Sequence, residues 1–555
     1  MIPSAPRYLV DIDVSITPQV FIDTLIIGSG IAGLRAALAA ARHGTVLVVT
    51  KSNVRESNTE YAQGGVAAVL SKADSVEEHV RDTLVAGAGL CEEEVVRTVV
   101  SEGPERLREV LDWGGNFDRE GGEVVLTREG GHSKRRIAHA GGDATGHELQ
   151  NVFIRRVRNE GIQIWEHSFL VDLLTRDGEC LGALVQAQAG ERRIVWAGAT
   201  LLASGGACQL FRESTNPDVA TGDGVAAALR AGAKARDLEF VQFHPTVLYI
   251  AGAARKLVSE AVRGEGGVLR NLAGERFMEK YHERAELAPR DIVSRAIVSE
   301  MDERGDTHVL LDMRELGEER IEHRFPGIAS TCRSFGVDPV RHPVPVRPSA
   351  HYFIGGVRVD GRGETCIHRL FACGEVTASG VHGANRLGSN SLLEGLVYGA
   401  RAGEEAGKCG PTAPAQSLRK FRGEGPPAAR EHLDLGDMRN SLKSLMGRVA
   451  GILRSREPLA EARRALDRWG RYVLDRKLDG PAGWELQNMM TISRLVIEAA
   501  WLREESRGAH ARRDFPDRDD DRWRGHVNLG LGGEPTFTSL GSTEESSIDS
   551  RAENA

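Results

Sequence analysis

At 555 residues the chain is long enough for roughly three or four domains, with a large buried core that needs no disulfide support. Apolar residues make up 41% and charged residues 27%, a globular balance that excludes a collagen, a coiled-coil rod and a wholly disordered chain. Lys plus Arg (71) against Asp plus Glu (79) leaves a net charge of −8, and aromatics are only 5%, so neither a nucleic-acid partner nor an anionic membrane surface is expected.

Residues 1–20 read as an N-terminal extension with no clear period. Then 20–27 is a short apolar strand, 28–33 a glycine turn, 31–42 an Ala-rich helix and 46–49 a second buried strand, which together make a βαβ unit. Helices are predicted over 93–113 and 146–160, and strands over 163–166, 182–188 and 194–203. From 241 to 351 the texture changes: Arg and His become frequent, two His-Pro pairs occur, and glycine turns flank a helical piece at 291–303. Glycine punctuation returns over 352–408, followed by the helical pattern SLLEGLVYGARAGEEAG. A Gly/Pro/Ala linker (410–415 and 423–429) precedes a stretch that reads as helical from 430 to 506. Residues 535–555 are polar and read as a disordered tail.

Seven cysteines (91, 180, 208, 332, 366, 373 and 409) form an odd, unpatterned set. That fits reduced thiols in a cytoplasmic protein and argues against a metal centre. No apolar run reaches the ~18–20 residues of a membrane span. The N-terminus lacks a basic region followed by an apolar core, so no secretory signal is expected.

The string GSGIAG (28–33) fits G-x-G-x-x-G with a strand before it and a helix after it. Without side chains at Gly28 and Gly30, backbone N–H groups can approach a pyrophosphate, and Gly33 lets helix and strand pack closely. An ordinary βα turn is the competing reading. Nicotinamide-binding units usually end the second strand with an acid for the ribose. Here that strand runs into Thr50 and Lys51, which favours FAD over NAD.

Further motifs follow in order: ESNTEYAQGGVAAV (56–69), REGGHSKRRIAHAGGDATGHE (128–148), TGDG (221–224), QFHPT (242–246), SEAVRGEGG (259–267), GERFM (274–278), APRDIVSRA (288–296), SAHYFIGGV (349–357), GEVTASGVHGANRLGSNSLLEGLVYG (374–399) and ESRGAHARRDFP (505–516). With these motifs the chain resembles the flavoproteins of the fumarate reductase and succinate dehydrogenase superfamily. Within that group it is most similar to the L-aspartate oxidase family. The resemblance implies an α/β fold: a Rossmann-type FAD-binding domain (21–240 and 352–410), interrupted by an α+β capping domain (241–351) and followed by a helical C-terminal domain (425–520).

The resemblance also implies a four-carbon dicarboxylate substrate. Two carboxylates leave water only for a site with converging cations and donors. Arg386 is the expected clamp on one carboxylate through its planar fork. His244 and His351 are the expected donors to the other, with Ser259 and Glu260 finishing the pocket. Arg290 matches the family's proton-transferring arginine. FAD contacts carried over by motif are Gly28, Ser29, Gly30, Ile31, Ala32, Gly33, Lys51, Asn58, Thr59, Glu60, Tyr61, Ala62, Gln63, Gly64, Gly65, Asp223, Glu375, Ser391 and Leu392. Glu375 is expected on the ribose hydroxyls, and Ser391 is expected to open a helix aimed at the flavin.

Two positions point to aspartate rather than succinate. Asn58 stands where the succinate enzymes carry a His joined covalently to FAD, so a non-covalent FAD is expected. Glu129 stands where L-aspartate oxidases place an acid facing the substrate ammonium. A carboxylate there attracts a cation and leaves a desolvated charge unpaired when a plain dicarboxylate binds. The implied reaction is oxidation of L-aspartate to iminoaspartate, with oxygen or fumarate as final acceptor. It is the first step of bacterial de novo NAD biosynthesis, with quinolinate synthase as a partner for the labile imine. Two alternatives remain at this point: the flavoprotein subunit of a succinate or fumarate complex, and a flavin-binding protein without turnover.

Overall fold

The computed structural model describes residues 4–252, 256–411, 421–428 and 433–548. Its central sheet has the strand order Phe169–Arg176, Glu179–Gln186, Arg192–Leu202, Gln19–Ile27, Val46–Val49, Gln163–Trp165, with Leu370–Ala372 also pairing on Arg192–Leu202. The central strands are parallel and in register, Leu202 beside Ile27 and Ile27 beside Val49. Buried on both faces, they read as continuous apolar runs, which is why the sequence reveals them. Predicted and observed elements differ by only a few residues at Ile31–Ala40, Glu93–Asp112, Thr145–Asn159 and Arg290–Arg304. Elements with no counterpart in the sequence reading include the strands Phe169–Arg176 and Val344–Phe353 and the helices Val76–Ala86 and Asp223–Arg230.

Helix Asn390–Lys408 lies against Ile31–Ala40. Gly399, Gly403 and Gly407 recur every fourth residue on the contact face. A Cβ on Gly399 would stand 2.6 Å from the Ala32 carbonyl oxygen, and one on Gly403 would stand 2.4 Å from that of Ala36. The two backbones touch, and part of the high glycine content serves this contact.

A four-stranded antiparallel sheet runs Val241–Leu248, Val344–Phe353, Val309–Asp312, Val268–Arg270. With helix Arg290–Arg304 it closes over its own apolar core, which includes Val262, Ile297, Leu311 and Val346. The C-terminal part contributes the long helices Leu435–Val449, Arg456–Val473 and Gly480–Leu502. Of the expected linker, residues 412–420 and 429–432 lie outside the described residues. Arg422–Gly423 forms a short pairing with Ile12–Asp13.

Both expected ends are corrected. The N-terminal extension is packed over residues 8–14: Tyr8, Leu9, Val10, Ile12 and Val14 are buried with Trp196, Phe421 and Trp484. The Leu9 N–H also donates to Asp172 Oδ2 at 2.7 Å. Leu9→Ala leaves a cavity in this cluster and is expected to cost about 2–4 kcal/mol, seen as a lower urea midpoint. Nor is the polar tail disordered through residue 548. Thr536–Ser539 pairs with Gly525–Leu529, and Ser546–Ser547 pairs back on it. Glu545 anchors the segment by ion pairs to Lys234 and Arg358. Residues 549–555 lie outside the described residues.

Candidate active site

The strand Gln19–Ile27 ends at Gly28, whose φ of +115° and whose missing Cβ, 2.1 Å from the Ala203 carbonyl oxygen, admit no other residue. A Cβ on Gly33 would lie 2.2 Å from the Gly28 carbonyl oxygen, so the helix starts hard against the turn. The Ser29 hydroxyl bonds Thr50 Oγ1, and Gln150 Nε2 donates to the Ser29 carbonyl. Thr59 Oγ1 accepts from the Ile31 N–H at 3.1 Å, folding the 56–65 segment onto the helix start. A cavity of about 1760 Å3 runs from Gly28, Gly30, Ile31 and Ala32 past Ala62, Gln63, Gly64, Gly65 and Leu392 to Arg290 and Arg386. That exceeds the ~300–1,000 Å3 of an ordinary small-molecule site and suits two ligands in line.

Lys51 is committed within the protein. Its Nζ lies 2.7 Å from Thr221 Oγ1 and 2.6 Å from both Asp223 Oδ2 and Glu485 Oε1. Burial disfavours its charge, but the two carboxylates outweigh that and raise its pKa. Asn488 of helix Gly480–Leu502 holds the other Asp223 oxygen at 2.8 Å. Lys51 therefore orients Asp223 and ties this end of the cavity to the C-terminal helices. Glu375 accepts from the Phe353 N–H (3.0 Å) and from Asn58 Nδ2 (2.6 Å), and burial pushes its pKa up. A carboxylate has about four lone-pair sites, so room remains for a ribose hydroxyl. Glu60 pairs with His147, and Tyr61 is more than half exposed with its hydroxyl on Glu56.

At the other end, His244 and His351 sit on paired strands of the four-stranded sheet, their ring centroids 5.5 Å apart. Both imidazoles have pKa values well below normal, through burial first and then nearby arginines. The Thr246 N–H donates to His244 Nδ1, so the neutral ring carries its proton on Nε2, which is buried without a partner. Thr215 fixes His351 through Nδ1 at 2.9 Å. Arg386 is buried, with Nε on Gln242 Oε1 (3.1 Å), Nη1 on Ser391 Oγ (2.5 Å) and its guanidinium 4.4 Å above the Tyr352 ring. Burial, then repulsion from Arg290, lowers its pKa to about 10, so it stays charged at neutral pH.

Arg290 Nε donates to Glu260 Oε2 at 2.6 Å. Burial opposes its charge, yet Glu260 and then Glu129 hold its pKa above the usual arginine value. Glu260 lines the cavity with one carboxylate oxygen held by Arg290. Ser259 caps the short helix Glu260–Gly264 through the Ala261 N–H. Ser391 does not open its helix. Ser389 is the N-cap and Ser391 lies in the first turn, where it holds Arg386. Glu129 lines the cavity, with Oε2 accepting from the Ser389 hydroxyl at 2.7 Å.

Known proteins are similar to this chain. The FAD binding domain family matches residues 23–392, and the fumarate reductase flavoprotein C-term family matches 439–539. The L-aspartate oxidase of Streptomyces coelicolor is 47% identical over 93% of this chain and 92% of its own length. That of Pseudomonas aeruginosa is 41% identical over 89% and 96%. Among solved structures, a mutant of E. coli quinol fumarate reductase FrdA superposes with a TM-score of 0.85 at 33% identity, covering 96% of this chain and 97% of that one. The chain belongs to the L-aspartate oxidase family. It is an FAD-dependent oxidoreductase of the expected α/β class, and FAD is its cofactor.

The residues present fit the cofactor of this family. Asn58, Glu60, Ser204 and His139, residues of the cavity lining, each hold a buried polar atom without a partner (Oδ1, Oε2, Oγ and Nδ1), which suits a site built around a polar ligand. The glycine turn leaves the helix start open to a pyrophosphate.

Several contributors were not singled out from sequence: Gln242, Tyr352, Ser389, Thr215 and the Lys51 partner Glu485. Gln242 had a signal, since it opens QFHPT. The ESRGAHARRDFP string acquires a structural role. Ala509 N–H donates to the Ala384 carbonyl and Arg507 Nη1 to that of Ala88, propping the segment that carries Arg386. Among the described residues no metal-binding cluster occurs and no helix is long and apolar enough to cross a membrane.

Proposed function

We propose that this cavity oxidises L-aspartate to iminoaspartate and passes the electrons to oxygen or fumarate. One observation carries the reading. The carboxylate of Glu129 faces the same cavity as Arg290, Arg386, His244 and His351. Four donors suit two carboxylates, and the Glu129 carboxylate suits an ammonium between them. A plain dicarboxylate would leave that acid desolvated and unpaired. This favours the aspartate reading over a succinate or fumarate complex subunit. The orphaned polar atoms favour a working site over a vestigial one.

FAD, when bound, supplies the two-electron acceptor. The protein's own part is binding, orientation and charge. Arg386 clamps one carboxylate, pre-set by Gln242, Ser391 and the Tyr352 ring. His244 donates to the other from Nε2, beside His351 and the Ser259 hydroxyl. Being neutral, the histidines add hydrogen bonds without over-binding a doubly charged product. Arg290, kept charged by Glu260, balances the substrate and holds a proton at the cavity wall for fumarate reduction. Glu129 receives the ammonium on Oε1, the oxygen that Ser389 leaves open. The residues over 241–351 act as a cap that excludes water from the labile imine. We place the enzyme in the cytoplasm, in keeping with its seven unpaired cysteines. There it starts de novo NAD biosynthesis and supplies quinolinate synthase.

The test is a substrate panel with peroxide detection. L-Aspartate should be oxidised, and D-aspartate, L-glutamate and succinate should not. Oxidation of succinate but not L-aspartate overturns the reading. Acid precipitation should release the flavin to the supernatant, because Asn58 offers no nitrogen nucleophile for a covalent link.

A further inference from the structure

Ser389 adopts φ +64°, the left-handed region that a residue with a Cβ enters at a steric cost. Glycine would sit there without strain, so the serine side chain must return something. Its hydroxyl donates to Glu129 Oε2 at 2.7 Å, and its carbonyl accepts from the Ala67 N–H at 3.1 Å. The preceding carbonyl, of Gly388, accepts from His132 Nε2 at 2.9 Å, so this short segment is pinned on both sides.

Gly388 shows why the pinning matters. A Cβ there would lie 3.2 Å from both Glu129 Oε2 and Arg290 Nη2. The acid and the guanidinium thus flank one glycine, and a direct pair between them is the competing arrangement. Such a pair would neutralise the carboxylate meant for a ligand cation. Two bonds keep the charges apart: Glu260 takes Arg290 Nε, and Ser389 takes Glu129 Oε2. The Glu129–Ser389 bond leaves Oε1 as the oxygen available to a ligand. His139 Nε2 stands 3.9 Å from it, beyond hydrogen-bond reach.

We propose that Ser389 is a positioning residue that sets substrate selection, holding Glu129 away from Arg290 so that an amino-bearing dicarboxylate is preferred over a plain one. The proposal rests on the reading of Glu129 as the ammonium partner. Nothing in the sequence around GSNSL signals it, because the bond joins residues 260 positions apart.

The experiment uses the FAD-loaded enzyme and the variants S389G, S389A, E129Q and the double variant S389G/E129Q. Glycine accepts the left-handed backbone, so S389G removes the hydroxyl without adding strain. KM and kcat for L-aspartate and the competitive inhibition constant of succinate are measured for each. S389G should raise KM for L-aspartate about tenfold, the loss of one hydrogen bond to a charged group, with succinate inhibition unchanged or tighter. S389A should shift both constants in the same directions. In the E129Q background, S389G should add no further loss, since the residue it orients is already altered. Equal shifts for both ligands, no shift for either, or full additivity in the double variant would each overturn the proposal. If E129Q itself fails to separate L-aspartate from succinate, the ammonium reading falls and the proposal with it, and that failure is read from a different variant.

Discussion

Glu129→Gln is expected to lower kcat/KM for L-aspartate by roughly 30- to 1000-fold, about 2–4 kcal/mol, the range for removing one partner of a desolvated charge pair. Fumarate reduction should change by less than about twofold, within the ±0.5 kcal/mol of a neutral substitution. Gln keeps the shape and can still accept from the Ser389 hydroxyl through its amide oxygen. What disappears is the negative charge, and only a substrate carrying an ammonium responds to that. For a plain dicarboxylate the change removes a repulsion, so succinate inhibition should hold or tighten. The selectivity ratio, more than either rate alone, is the quantity to measure. A parallel fall in both reactions would place Glu129 in the general structure of the site and remove the reason for reading an amine substrate.

The parts of this protein that announced themselves in sequence are the locally encoded ones. The turn at Gly28–Gly33 is flanked by apolar runs whose neighbours in the chain are also neighbours in space, so strand, turn and helix could be read together. The strand Phe169–Arg176 was missed although it is apolar. Its centre carries Asp172, which looks like a loop residue until Arg230 Nε is found 2.9 Å from one oxygen and the Leu9 N–H on the other. The N-terminal segment failed for the same reason, since Leu9 and Val10 have no periodic pattern and their partners Trp196, Phe421 and Trp484 are hundreds of residues away. Polarity misled at the other end, where Glu545 reads as solvated until two cations close on it.

The site divides along the same line. The charged residues were legible through motifs, but what fixes them was not. Arg386 depends on Gln242 and Tyr352, Lys51 on Glu485 434 positions later, and Glu129 on Ser389. Glu260 shows the same limit. As a lone acid in SEAVRGEGG it could face either a ligand or another residue. Only three-dimensional packing shows that Arg290 pairs with it, while Glu129 is held by a hydroxyl instead.

Arg386→Leu gives the complementary result: a loss of about 3–5 kcal/mol in kcat/KM, roughly 10²- to 10³-fold or more, for L-aspartate and fumarate alike. Both substrates present a carboxylate to the guanidinium, so neither is spared, in contrast to Glu129→Gln. Leucine fills much of the space above Tyr352 but leaves Gln242 Oε1 and Ser391 Oγ without their donor. The rise should fall mainly on KM, as expected when an interaction is shared by bound substrate and transition state. A pH effect then follows from sign. In the intact site burial, Arg386 and Arg290 together hold the His351 pKa down. Removing one cation lets that pKa rise, so His351 gains its proton at a higher pH than before and supplies part of the missing charge. Succinate inhibition of the variant should therefore begin to strengthen at a higher pH than that of the parent enzyme as pH falls. A variant whose affinity shows no such recovery would mean that His351 does not share a carboxylate with Arg386.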